Sequence, residues 1–537
     1  MPQISYRANL SNAIFPFTLA NAGRSVIVPG PDNNYDRRVD PEGEQKDAGI
    51  PQAIYLENAI PTANGYQTVG FTAGLRINEP TDPLASNTWV YQGHTIIRPN
   101  PSSSTSRTPS IIIAHFEGLA SAYADSWGYA AAAPNEWEEV LGHPGDKIKS
   151  PEGYYLKAPN YFSIRGLDYL FTFENDLFSL DYTSGVTMNL VSGSVTGIVL
   201  SDVVQMTSSY NYTIAWDRTN NNIAWSSTTN PLDFTPSLVT GAGSASPFTL
   251  LGQPIALLPV QSGFYIQTDV ETIYAQYTGN SRYPWKFVPI ASAPGMSQII
   301  TSRENDLCFG ISFDGTIWQL RGAEAAALAP EISTWARNFN AVTSYNKTTG
   351  AFTSTPVTTP TFKLFLFQER YLCLAYGDDM YSFAAAGGKG VWVYDILLKR
   401  YGNITKEFSD IWVSDDCIGF VLDTPTETTV SSCTFSGTQP SNANGVVILG
   451  KFQYVRSRHL EMQEIELEGT FTSLGVKAIP TLDGKTFLAP KTPSLIVDED
   501  ELKAYKCRVL GRNVSLALTG NFTISSVELT FSLGGSR

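Results

Sequence analysis

Charge is scarce in this chain: only 16% of its 537 residues are Asp, Glu, Lys or Arg, against about a quarter in ordinary soluble domains. What charge there is leans one way, with 50 acidic against 36 basic residues and a net charge of −14. Lys and Arg nowhere gather into more than short clusters. A protein that reads DNA sequence presents a basic face, so that class is excluded. An acidic surface repels a phosphate backbone, which suits either plain solubility or a passage that DNA slides along without sticking.

Cysteine and histidine are also few. The five cysteines, Cys308, Cys373, Cys417, Cys433 and Cys507, are odd in number, scattered and free of any CxxC pair. Neither a disulfide framework nor a zinc knuckle follows, and assembly in a reducing compartment fits. His94, His115, His143 and His459 stand far apart and form no HxxxH pair. No stretch approaches 18 apolar residues, and the run Ala130 to Ala133 is far too short to span a bilayer. The N-terminus, MPQISYRANLSN, has no basic region leading into an apolar one, so no secretory signal is expected.

Motifs that carry chemistry are missing too. There is no GxSxG elbow and no P-loop. Gly387-Gly388-Lys389-Gly390 lacks the P-loop spacing and reads as a hairpin turn. Ser312-Phe313-Asp314-Gly315-Thr316-Ile317-Trp318 invites comparison with the Asp-box turn of sialidases. It occurs once and is one residue short, and Asp-Gly is a strong hairpin turn in its own right. Asp498-Glu499-Asp500-Glu501 has no EF-hand pattern, whereas Asp32-Asn33-Asn34-Tyr35-Asp36 offers oxygen donors for calcium or a cluster of Asx turns. No catalytic, cofactor or metal residue is nominated, and the chain reads as non-enzymatic.

What the chain does have is turn residues, aromatics and alternation. Its 43 Gly, 32 Pro, 26 Tyr and 28 Phe favour pleated, half-buried surfaces joined by many turns. A hairpin-like unit recurs at 167–182, 210–225, 263–277, 305–320 and 370–395, with weaker copies starting near Pro109 and Asp416. Each pairs two alternating apolar runs across a polar turn. The spacing matches a four-stranded propeller blade. The expectation is an all-β chain with an irregular β-propeller of about six to eight blades over 106–450; an irregular sandwich assembly is the other reading.

Residues 1–105 form a β-rich N-terminal segment, and 451–537 alternate as a separate antiparallel sheet; together these terminal segments are expected to build a smaller platform domain. Within the repeat, 322–335 reads as a helix that Pro330 stops, and 337–361 as a loop or hairpin, so that an inserted segment near 322–361 is expected to project.

One stretch resembles a known family. In Asn222–Pro236, NIAWSSTTNPLDFTP, a strand ends in Trp225-Ser226 and a loop continues with Asp233-Phe234-Thr235-Pro236. This is similar to tail nozzle, tail tubular or DNA-stabilisation proteins of short-tailed bacteriophages (podoviruses). Gly263–Trp285, with Tyr274, Tyr277-Thr278-Gly279 and the aromatic after Pro284, resembles the same group. So do Leu510-Gly511-Arg512-Asn513, Leu516–Gly520 and the final Gly534-Gly535-Ser536-Arg537; Asn58-Ala59-Ile60-Pro61-Thr62 and Gly65-Tyr66 fit its early strand. The resemblance implies a virion tail component assembled in the host bacterial cytoplasm. It further implies a homo-oligomeric ring, commonly a hexamer, below the portal and head-tail adaptor. Propellers face outward, terminal segments surround a DNA-exit channel, and fibres or spikes attach at the side. Genomic DNA passes without sequence-specific contacts, and no catalytic residue carries over. The competing function is a phage receptor- or glycan-binding propeller, possibly glycan-cleaving.

Overall fold

The computed structural model describes residues 3–12, 26–27, 53–71 and 75–77, short strands between 90 and 149, and most of 160–533 apart from brief breaks such as 172–176 and 380–386. The chain is mostly β and its sheets are almost wholly antiparallel. No helix of the described residues is long and apolar enough to cross a membrane.

The recurring hairpins are real, and each is the middle of a larger unit. Tyr212–Asp217 and Asn222–Trp225 are flanked by Val203–Ser209 and Gly243–Ala245, which makes a four-stranded meander. The same order recurs in Asn160–Leu190, Pro254–Pro294, Met296–Ala327 and Pro360–Phe408. Val90–Glu139 forms a related sheet earlier in the chain. The last unit differs: Asp410–Val413, Ile418–Asp423 and Thr428–Cys433 take their fourth strand from Leu75–Ile77, more than 300 residues upstream. Short alternating strands with apolar residues on both faces cannot be buried in isolation, so the units stack face to face. Ile214, Trp216 and Ile223 of the third sheet pack on Leu257, Phe264 and Ile273 of the fourth. Tyr265 and Tyr274 of the fourth pack on Met296 and Cys308 of the fifth.

The first strand of each unit lies beside the first strand of the next, from Asn160–Ile164 through Val203–Ser209, Pro254–Val260 and Met296–Ser302 to Pro360–Phe367. Asp410–Val413 of the last unit lies against Val90–Gln92 of the first. Side chains stitch these strands together. Gln205 receives the Leu257 N–H on Oε1 (2.6 Å) and donates from Nε2 to the Leu257 carbonyl (3.3 Å). Two units further along the chain, Gln298 accepts from Leu364 N (2.7 Å) and donates to the Phe362 carbonyl (2.6 Å). The first hairpin turns are also linked in succession. Arg165 donates to the Asn211 carbonyl, Ser209 to the Gly263 carbonyl, Ser262 to Asp306, and Asn305 to the Glu369 carbonyl.

Two expectations are corrected. Residues 322–335 are not a helix: Glu324–Ala327 is an edge strand, and the helix runs Pro330–Arg337. Proline opens it because the first helical turn needs no donated N–H and a φ near −65° suits it. Trp335 of this helix wedges edge-on against Phe362, Tyr376 and Trp392. The hairpin Ala341–Tyr345/Phe352–Pro356 does not project; it is docked. Tyr345 N donates to the Tyr55 hydroxyl (3.1 Å), Lys347 Nζ to the Asn444 carbonyl (2.7 Å), and Lys477 Nζ to the Thr348 carbonyl (2.7 Å).

The two ends of the chain share one sheet. Leu460–Thr481 and Asn513–Leu533 pair along their whole length. At 22 and 21 residues they reach about 70 Å, where the commonest strands reach about 20 Å. Gln3–Asn9 pairs with one half of Asn513–Leu533 and Gly445–Gln453 with the other, and Ala53–Glu57 adds to Gly445–Gln453. Strands this long must bend. Bulges at Glu468/Gly469 and Phe471/Ser473 do this, and a Cβ on Gly469 would lie 2.0 Å from the Thr523 carbonyl oxygen.

Candidate functional site

The residues that sequence reasoning weighed for chemistry are not brought together. His94, His143 and Asp32–Asp36 lie outside the described residues, His115 falls within the strand Ile111–Glu117, and His459 is exposed. Cys308, Cys373 and Cys433 are buried free thiols and Cys507 a half-buried one, while Cys417 lies outside the described residues. Among the described residues, no three His, Cys, Asp or Glu side chains could hold a metal ion together. Gly388 and Gly390 lie in a strand, not a turn: a Cβ would enter the Phe408 ring at 2.2 Å from one and meet the Tyr376 hydroxyl at 2.4 Å from the other. The 498–501 run turns into the strand Leu502–Gly511, and Glu499 and Glu501 join Glu468 and Thr62 in lining an open groove. Glu468 is already held by Arg7 (2.8 Å) and Ser526 (2.5 Å).

The Asp-box-like turn is a self-contained knot. Asp314 accepts from the Ser312 hydroxyl (2.5 Å), from Thr316 N (3.1 Å) and from the Thr316 hydroxyl (2.9 Å). Trp318 Nε1 donates to Ser312 Oγ (3.2 Å), Gly315 adopts φ +80°, and Arg337 reaches the Asp314 carbonyl (3.0 Å). Every polar group here serves the hairpin.

The stretch that carries the family resemblance has a structural task of the same kind. After Trp225, Ser226 and Ser227 are buried; Ser226 Oγ accepts from Thr213 N (2.9 Å), and Trp225 Nε1 donates to the Gly241 carbonyl (2.9 Å). The loop then crosses to the segment that joins the second and third sheets. Phe234 N donates to the Thr196 carbonyl (2.8 Å), and Asp233 Oδ1 accepts from the Thr196 hydroxyl (2.8 Å) and Thr235 N (3.0 Å). The Phe234 ring is thereby buried among Phe171, Val203 and Met206, filling the wedge between two sheets.

Beyond this lock the same loops turn outward. Leu238 and Val239 are 70% and 94% exposed, and Tyr210 and Tyr283 on neighbouring connections are 49% and 64% exposed. The loops touch, since a Cβ on Gly241 would lie 3.2 Å from the Ser281 carbonyl oxygen. Tyr210 is held in place: its ring stacks on Tyr277 at 3.8 Å, and Tyr277 leans on Trp285 at 5.4 Å. The Arg282 guanidinium lies 5.7 Å from the Tyr283 ring. Fixed aromatic rings flanked by Arg and Asn are what docking surfaces are made of.

Burial pushes the phenols of Tyr210, Tyr212 and Tyr274 up, and burial raises the Cys308 thiol. Hydrogen bonds from Thr235 hold Asp233 below the usual carboxylate range, and the Ser312 hydroxyl does so for Asp314. These shifts lead away from neutral pH. No protein-family model matches the chain, and no curated protein matches it.

Sequence reasoning missed Gln205 and Gln298. Both stand at the same place in a first strand, two residues after Val203 and Met296, and both coincide with a bulge. Only alignment of the two strands by their position in the fold makes the pair visible.

Proposed function

We propose that the chain is a structural, non-enzymatic subunit of a short-tailed bacteriophage tail, at the nozzle or hub. In this reading the seven successive strand groups are the blades of one β-propeller, and Leu75–Ile77 closes the circle by completing the last blade. The observation that carries it is the succession of first strands from the second unit to the sixth, with Arg400–Phe408 of the sixth against Ile418–Asp423 of the last and the last against the first. A disc closed this way is rigid, and its connecting loops are free to dock partners. The terminal sheet supplies the platform. Copies join by head-to-tail contacts that close into a ring, expected to be a hexamer, below the portal and its adaptor. Fibres or spikes attach at the side and genomic DNA leaves through the lumen, past a chain of net charge −14.

Two-dimensional class averages of the purified protein and of virion tails test this. A ring with a central hole, which binds the portal adaptor, is expected. A monomer at every concentration, with no ring in virions, would sink the idea.

A second reading is favoured by Tyr210 and Tyr283, both exposed, the latter beside the Arg282 guanidinium. Such rings stack on sugars, so a receptor- or glycan-binding propeller, possibly glycan-cleaving, is the alternative. A glycan array and a hydrolase screen, run with Tyr210→Ala and Tyr283→Ala as controls, distinguish the two.

A further inference from the structure

We propose that the strand Arg400–Phe408 is a clasp, gripping residues 53–71 of the terminal sheet through a few side-chain bonds, so that their release loosens that segment while the meanders stay folded. This holds whatever the chain binds.

The evidence is an unusual attachment. Regular pairing between this strand and the N-terminal segment is confined to one position, Asn403 opposite Ala59. Side chains do the rest. Arg400 is buried, yet its guanidinium donates to three carbonyls of the N-terminal segments: Thr62 (2.9 Å), Leu10 (2.8 Å) and Gly65 (2.9 Å). It also lies 4.7 Å from the centre of the buried Tyr66 ring. Further along, Asn403 Nδ2 donates to the Leu56 carbonyl (2.9 Å), Asn58 Oδ1 accepts from Thr405 N (2.9 Å), and Lys406 lies over Phe71 at 5.1 Å. Between them Gly402 lets the backbones meet: a Cβ there would lie 2.7 Å from the Ala59 carbonyl oxygen and 2.8 Å from Ile60 Cα.

The segments so gripped belong to the terminal sheet. Leu56 pairs with Val447, Tyr66 with Ile524, and Gln3–Asn9 just before Leu10 with Ser526–Ser532. The clasping strand itself pairs with Gly388–Asp395 in the sixth meander.

Chemistry makes the grip all-or-none. Arg400 has no ion-pair partner among the described residues, and its charge is solvated by neutral carbonyls and an aromatic face. Its buried Nε already lacks a partner, so the guanidinium is tolerated only while the three carbonyls hold both Nη groups. Loss of one segment weakens the hold on the others, so the contacts release together.

Hydrogen exchange read by mass spectrometry on the full chain tests this. Arg400→Met keeps the stem and removes the donors; Gly402→Ala forces the backbones apart and leaves Arg400 intact. Both are expected to speed exchange in peptides spanning 53–71 by tenfold or more, with peptides spanning 263–277 unchanged. Unaltered exchange at 53–71 in either variant overturns the proposal, as does equal acceleration throughout the chain. Should Arg400→Met fail to fold, Gly402→Ala carries the test with the same two outcomes.

Discussion

Replacing Gln205 with alanine should loosen one seam between neighbouring sheets without unfolding either. The carboxamide makes two bonds to one residue, accepting from Leu257 N and donating to its carbonyl. Leu257 is buried at 1% exposure, so alanine would leave its N–H dry and unpartnered. A net hydrogen bond is worth about 1 kcal/mol, and an orphaned buried donor costs about 1–3 kcal/mol. Gln205 is half-buried, so some water can enter and the top of the range is not reached; about 2 kcal/mol is expected. Opening of Leu257 should therefore become about 30-fold easier, at about 1.4 kcal/mol per tenfold. Residue-resolved amide exchange reads this directly. Leu257 should lose about that factor of protection, while Ile273, in the interior of the same sheet, should not. Gln298→Ala should do the same at Leu364, which donates to Gln298 in the same way. A change below threefold at Leu257, or equal loss at Leu257 and Ile273, would refute the idea that the glutamine seals this seam.

Three further expectations concern other sites. Phe234→Ala removes a ring that is 1% exposed; a loss of about 3–5 kcal/mol is expected, and limited proteolysis should then cut first within 226–242. Asp395 is fully buried and its Oδ2 takes both Nη2 (2.6 Å) and Nε (3.0 Å) of Arg370. Asp395→Asn should cost about 2 kcal/mol, below the usual range for breaking a buried pair because Arg370 is partly solvated, as read from denaturant midpoints. Asp314 titrates below its ordinary value of 3.8 because the Ser312 hydroxyl and then Thr316 bond its carboxylate. A depressed folded-state pKa stabilises above the unfolded value and is lost as pH falls through the folded one. The gap in thermal midpoint between the wild type and Asp314→Asn should therefore be full at pH 5 and shrink on acidification below about 4.

Much of the local pattern is legible in the chain. Period-two alternation around polar turns located the hairpins at 210–225, 263–277, 305–320 and 370–395, because each strand has to bury one or both faces and each turn needs its own residues. The same rules mislead at Pro330. Proline starts a helix as readily as it ends one, and an alanine-rich stretch such as Glu324–Ala327 becomes a strand when an open sheet edge is next to it. The stretch around Phe234 was legible only as a resemblance, since nothing in DFTP itself says that Phe234 fills a wedge between two sheets.

The sequence by itself determined the strands, their turns and the poverty of charge and reactive groups, since these depend on residues close together in the chain. Only the tertiary structure decided which strands meet. Leu75–Ile77 completes a sheet whose other strands begin at Asp410, and Arg400 closes on carbonyls of Leu10, Thr62 and Gly65. Such partners lie more than 300 residues apart, and a buried donor records only that it needs an acceptor; which carbonyl supplies it is settled when the apolar faces have packed.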